Sequence, residues 1–122
     1  MTIIEMITEV DTLHPNGYDQ RNKVAWLSNL DGRIKEEIID IHEGGEGVTF
    51  KGYTEEDLDT ELIVPAPYDE VYRYWLEAQI DYANGEYNKY NNSMTMFNVA
   101  YSAYERYYHK THMPKGKSIK FF

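Results

Sequence analysis

The 122-residue chain contains no cysteine. That absence excludes disulfides, thiolate metal sites and a cysteine nucleophile, and it suits a reducing cytoplasm. Long apolar runs are missing too. None approaches the roughly 20 residues that a membrane-spanning helix needs, so no membrane partner is expected. The start, Met1-Thr2-Ile3-Ile4-Glu5, lacks a basic segment and meets acid at Glu5 and Glu9, which argues against a secretion signal. Positive charge is scarce: 12 Lys and Arg stand against 21 Asp and Glu, a net charge of -9. A general grip on nucleic acid needs clustered Lys and Arg, so this balance opposes one.

The scarcity is uneven. Residues 1–85 hold 19 acidic and 6 basic side chains, whereas residues 86–122 hold 2 acidic and 6 basic. From Arg106 onward there are five basic residues and no acid. A chain with halves of opposite sign can pack head to tail with copies of itself. Basic helix ends and tails are also common without any such role.

At this length one hydrophobic core is expected, and the apolar pattern places most of it on helices. Ile3, Ile7 and Val10 have helical spacing, with Met6 and Leu13 beside them, and Pro15-Asn16-Gly17 ends the segment as a turn. Asp19 is suited to cap a second helix over 19–42. Its stripe is Val24, Leu27, Leu30, Ile34, Ile38 and Ile41, with Trp26 alongside and Gly32 inside it. Residues 43–67 form an insertion that opens with Gly44-Gly45-Glu46-Gly47 and contains two β-like runs, 48–51 and 61–64. It reads as either a small β-hairpin or an extended loop. Pro65 and Pro67 stop any strand there.

A third helix is expected over 68–84, led by Asp69 and Glu70 and closed by Asn84-Gly85. The fourth, over 86–111, has the clearest pattern. Tyr87, Tyr90, Met94, Phe97, Tyr101, Tyr104 and Tyr108 recur at steps of three and four, a heptad seam. Met96, Ala100, Ala103 and Tyr107 form a second face. Such a helix can pack on its own bundle and on a neighbouring subunit. Residues 114–122 are read as a basic arm with an apolar tip.

No catalytic, cofactor or metal site emerges. His109 and His112 form an H-x-x-H pair, but two ligands are fewer than a stable metal centre needs, and histidines at a helix C-terminus already complement its dipole. The acidic run 55–59 lacks the alternating ligands and central Gly of a calcium loop. The glycine-rich turn has no phosphate-binding Lys-Ser/Thr behind it. Glu36 and Glu37 are adjacent on a helix and do not face each other. No serine sits in a nucleophile elbow.

The unusual feature is aromatic. Ten of twelve tyrosines follow residue 67. Tyrosine buries a large ring and wants a partner for its hydroxyl, which suits partly wet interfaces, although the same rings can line an ordinary core. Asn84, Asn88, Asn91, Asn92 and Asn98 either bond across a subunit contact or face water. The candidate interaction residues are Tyr101, Tyr104 and Tyr108 on the helix and Lys115, Lys117, Ile119, Lys120, Phe121 and Phe122 on the arm. Two exposed phenylalanines need a docking place, on the protomer or on a partner.

Several stretches resemble a known group. They are Trp26-Leu27-Ser28-Asn29-Leu30-Asp31-Gly32, Val64-Pro65-Ala66-Pro67-Tyr68, Tyr74 to Tyr82, Tyr90-Asn91-Asn92, Phe97-Asn98 and Thr111-His112-Met113-Pro114. Together they span about Pro15 to Pro114 and look like small proteins of tailed phages and prophages of Gram-positive bacteria. These are associated with the head–tail connector, or neck adaptor, group. The resemblance implies a small helical bundle made in the bacterial cytoplasm and placed in the virion neck. It implies a homo-oligomeric ring, often of twelve copies, between the portal protein and the tail or stopper protein. DNA would pass through the lumen without specific binding.

The expectation is therefore an all-α, four-helix bundle-like domain over 1–113, interrupted by the insertion at 43–67 and followed by an extended arm at 114–122. The function expected is a non-enzymatic structural adaptor. The alternative is a small acidic phage-encoded regulator that binds a host protein as a DNA mimic.

Overall fold

The computed structural model describes residues 1–115. Among the described residues the chain is all-α, with four helices: α1 (Ile3–Leu13), α2 (Gln20–Ile34), α3 (Glu70–Ala83) and α4 (Tyr87–Thr111). A π turn, Lys35–Ile39, continues α2, and a short 3-10 turn, Glu55–Asp57, lies in the insertion.

Local chemistry sets most of the boundaries. Thr2 and Glu5 form a reciprocal capping box, so two otherwise orphaned N–H groups at the start of α1 are bonded. Asp19 occupies the cap position of α2, yet its side chain makes no cap hydrogen bond. α3 closes as expected: Gly85 has φ +75°, which admits glycine without a Cβ clash, and its N–H bonds to the Tyr82 carbonyl.

One core joins all four helices. α1 contributes Ile3, Met6, Ile7 and Val10; α2 and its π turn contribute Val24, Leu27, Leu30, Ile34, Ile38 and Ile39. Val71, Tyr72, Leu76 and Ile80 come from α3, and Phe97, Ala100, Tyr101, Tyr104 and Tyr108 from α4. α3 and α4 form the hairpin against which the others pack.

Two expectations change. The helical stripe of α2 does not run through to residue 41. The π turn inserts the equivalent of one extra residue and rotates the residues beyond it. Ile39 and His42 turn inward, while Ile41 is 52% exposed.

The β-hairpin does not form: among the described residues there is no strand, and residues 43–67 run as turns and loop around the short 3-10 turn. The reason lies in where the backbone bonds go. Thr60 and Leu58 carbonyls accept from Ile3 and Ile4, and Leu62 N–H donates to Met1, so the second β-like run serves the start of α1. Side chains take further groups. Tyr53 N–H donates to Ser28 Oγ, Ile63 N–H to Asp31 Oδ2 and Val64 N–H to the Tyr72 hydroxyl.

The insertion is held by a buried carboxylate. Asp31 is fully buried and accepts from the Tyr72 hydroxyl at 2.5 Å, the Tyr53 hydroxyl at 2.5 Å and Ile63 N–H at 3.1 Å. One side chain thus ties α2 to α3 and to the insertion at Tyr53 and Ile63. Burial pushes the Asp31 carboxyl above its usual range, and these three donors pull against that shift. Gly32 next to it leaves room for Phe50: a Cβ there would lie 3.3 Å from the Phe50 ring. The close approach is therefore by a side chain.

Candidate interaction surface

α4 carries two chemically distinct sides. Its inner side is a continuous aromatic layer. Phe97 lies 5.1 Å from Trp75 and 5.5 Å from Tyr101, ring centre to ring centre. The Arg33 guanidinium sits 4.9 Å from the centre of the Tyr101 ring, an attractive cation–π contact. Tyr101 donates its hydroxyl to Glu37 Oε1 at 2.5 Å, and Arg33 donates to the same oxygen at 3.0 Å. The tyrosine bond, aided by Arg33, holds the Glu37 carboxyl below its usual value, while burial raises the Tyr101 phenol. Tyr104 is buried within 5.9 Å of both Tyr68 and Tyr108.

The structure thus places Tyr101, Tyr104 and Tyr108 in the protomer's own core, where they do not form a surface. The outer side differs. Met96 is 46% and Val99 61% exposed, and Tyr107 is exposed beyond them, stacked on Tyr68 at 4.8 Å. Ala100 belongs to the inner side and Val99 to the outer one. The outer stripe is therefore Met96, Val99, Ala103 and Tyr107, at steps of three, four and four. A second exposed patch caps the α3–α4 turn, where Tyr82 lies 5.5 Å from Tyr87 and 5.2 Å from Tyr90. Of the five asparagines around it, all are exposed, and Asn84 Oδ1 accepts from the Tyr18 hydroxyl at 2.6 Å.

Charge is segregated on this scaffold. Glu55, Glu56, Asp59 and Glu61 are exposed on the insertion, and Arg106, Lys110 and Lys115 are exposed at the end of α4. Lys115 Nζ is 4.0 Å from Glu46 Oε1, a loose surface pair worth little in water. Lys117, Ile119, Lys120, Phe121 and Phe122 lie outside the described residues.

The histidines are rearranged relative to the sequence pattern. His112 stacks flat on Tyr108, with ring centres 3.8 Å apart. His109 faces His42 instead, across 67 residues of sequence. His42 is buried, and its Nδ1 lies 2.6 Å from the Ile38 carbonyl.

Sequence reasoning also missed three further buried polar groups: Asp31, Lys23 and Asp81. Lys23 Nζ pairs with Asp11 Oδ1 at 2.7 Å. Asp81 accepts from Ser93 Oγ at 3.1 Å, and His14 Nε2 lies 3.0 Å from its other oxygen, off the line of a hydrogen bond. A signal existed for Asp31. Val24, Leu27, Asp31, Ile34 and Ile38 are spaced three, four, three and four, so the acid stands on the buried stripe.

Among the described residues no group of three or more His, Asp or Glu side chains converges as a metal cage, and no helix is long and apolar enough to cross a membrane. Comparison of the chain with protein-family models, curated proteins and solved structures finds no match in any of the three.

Proposed function

We propose that this chain is a structural adaptor whose work is self-assembly and protein docking, and that it serves as a head–tail connector of a tailed phage. The observation that carries the assembly reading is the outer side of α4. Its apolar stripe lies opposite a fully packed aromatic layer, so the helix has one surface satisfied by its own fold and one left for another protein.

Segregated charge supports a head-to-tail arrangement. The acidic insertion of one copy can meet the basic end of α4 in the next, and such contacts close into a ring when the rotation fits. In a ring, acidic walls would repel DNA phosphates and let a duplex slide through. The phage assignment itself rests on the resemblance of the stretches between Trp26 and Pro114 to neck-adaptor proteins.

The test is mass spectrometry of purified virions from a host carrying the gene. The expected result is this chain at ring stoichiometry, about twelve copies per particle, beside the portal protein. Its absence from virions, together with its recovery on a host DNA-binding enzyme, would replace the adaptor with the acidic-regulator reading.

A further inference from the structure

The contact between His42 and His109 has a geometry that the adaptor role does not use. His42 is buried at 2% exposure, and its ring is fixed on both sides. Its Nδ1 lies 2.6 Å from the Ile38 carbonyl oxygen. A carbonyl only accepts, so Nδ1 carries the proton and Nε2 presents a lone pair. Tyr108 packs against the same ring, centres 5.1 Å apart. A histidine that gives its second N–H to a backbone carbonyl is oriented as metal-bound histidines usually are.

The lone pair faces His109 Nδ1 at 3.3 Å. That is within reach of a hydrogen bond from the His109 ring N–H. It equals the edge of a tetrahedron about zinc: two nitrogens at about 2.05 Å from the ion lie about 3.3 Å apart. The pair stands between two surface grooves, one bordered by Ile41, Glu105, Arg106 and Lys110, the other by Asp40, Pro114 and Lys115. Water can therefore reach the remaining coordination positions. Asp40 is tied to Lys35, whereas Glu105 stands one helical turn before His109 and offsets the nearby cations.

We propose that His42 Nε2 and His109 Nδ1 form an open, exchangeable site for a borderline divalent transition metal of the Zn2+ or Ni2+ class. Imidazole suits these ions, and two protein nitrogens make the site weaker than a structural centre. A bound ion clamps the segment just after the π turn to the last turns of α4. Binding moves the proton of His109 from Nδ1 to Nε2, because Nδ1 must offer its lone pair.

The test titrates the full chain, freed of metal by a chelator, with zinc chloride and separately with nickel chloride. Expected is one ion per chain with a dissociation constant on the order of 10 µM, reversed by EDTA. At tenfold excess over that constant the melting temperature should rise by about 4 °C. Nitrogen-15 spectra should show His42 Nε2 and His109 Nδ1 as the ligated atoms. His109→Ala, at an exposed position that leaves the fold intact, should weaken binding at least about tenfold. His112→Ala and His14→Ala should bind as the parent does. No binding at millimolar zinc, or unchanged binding by His109→Ala, overturns the site.

Discussion

The Asp31 junction and the outer side of α4 invert each other. At the junction, polar groups lie inside, and each oxygen of the carboxylate has a donor. On α4, the apolar side chains Met96 and Val99 lie outside, 46% and 61% exposed among the described residues. Burying a polar group without a partner is costly, because it loses its water without compensation. An exposed apolar group carries no such urgency within the monomer. The first region is therefore closed and serves the fold, while the second is the surface proposed above for docking.

The largest loss of stability is expected at Asp31. Asp31→Ala strands two tyrosine hydroxyls and the Ile63 N–H, and should lower unfolding stability by about 3–4 kcal/mol in urea titration. Asp31→Asn keeps one acceptor oxygen and should lose less. If Asp31→Ala melts like the parent, the insertion is not held by this carboxylate. A smaller loss is expected at the other buried acid. Ser93→Ala removes the hydroxyl that donates to Asp81 and should lower stability by about 1 kcal/mol.

pH sharpens the contrast further. The folded Asp31 carboxyl titrates above its unfolded value of about 3.9, so over the interval between the two the folded chain binds more protons than the unfolded chain. Stability contributed by Asp31 is then fully present below the unfolded value and falls as pH rises through the folded one. Glu37 has the opposite sign. Its lowered value gives stability present above the unfolded value of about 4.3 and lost as pH falls through the folded one. Its side chain is half exposed, so that contribution is small. The parent-minus-Asp31→Asn difference in urea midpoint should therefore fall as pH climbs from 4 upward. A difference that rises instead would reverse the assignment of burial as the dominant influence on Asp31.

The smallest effect on stability belongs to the open surface. Val99→Asp should change the monomer by no more than about 0.5 kcal/mol while abolishing incorporation into particles. A destabilisation as large as that of Asp31→Ala would place Val99 in a core and erase the difference between the two regions.

Much of the helical framework was legible in the chain itself, for identifiable reasons. Ile3, Ile7 and Val10 and the seam from Phe97 to Tyr108 repeat at helical steps, and Pro15-Asn16-Gly17 and Asn84-Gly85 break the chain where the helices stop. The π turn was not legible. Lys35-Glu36-Glu37-Ile38-Ile39 reads as ordinary helix, and the extra residue shows only in which of Ile39, Ile41 and His42 reaches the core. Nor could spacing say which face of α4 would be covered by its own bundle. Tyr101, Tyr104 and Tyr108 suit a core and an interface equally until Arg33 and Glu37 meet Tyr101, Tyr68 meets Tyr104 and His42 meets Tyr108.

Local pattern by itself determined where this chain forms helices, where it turns, and that its charge divides into an acidic body and a basic end. These depend on neighbours within a few residues, which the order of amino acids states directly. Tertiary structure alone decided that Asp31 anchors the insertion and that His109 meets His42 and not His112. It also decided that Val99 stays in water while Tyr101 leaves it. Those outcomes depend on groups tens of residues apart competing for the same burial and the same hydrogen bonds. That competition is resolved only when the helices pack.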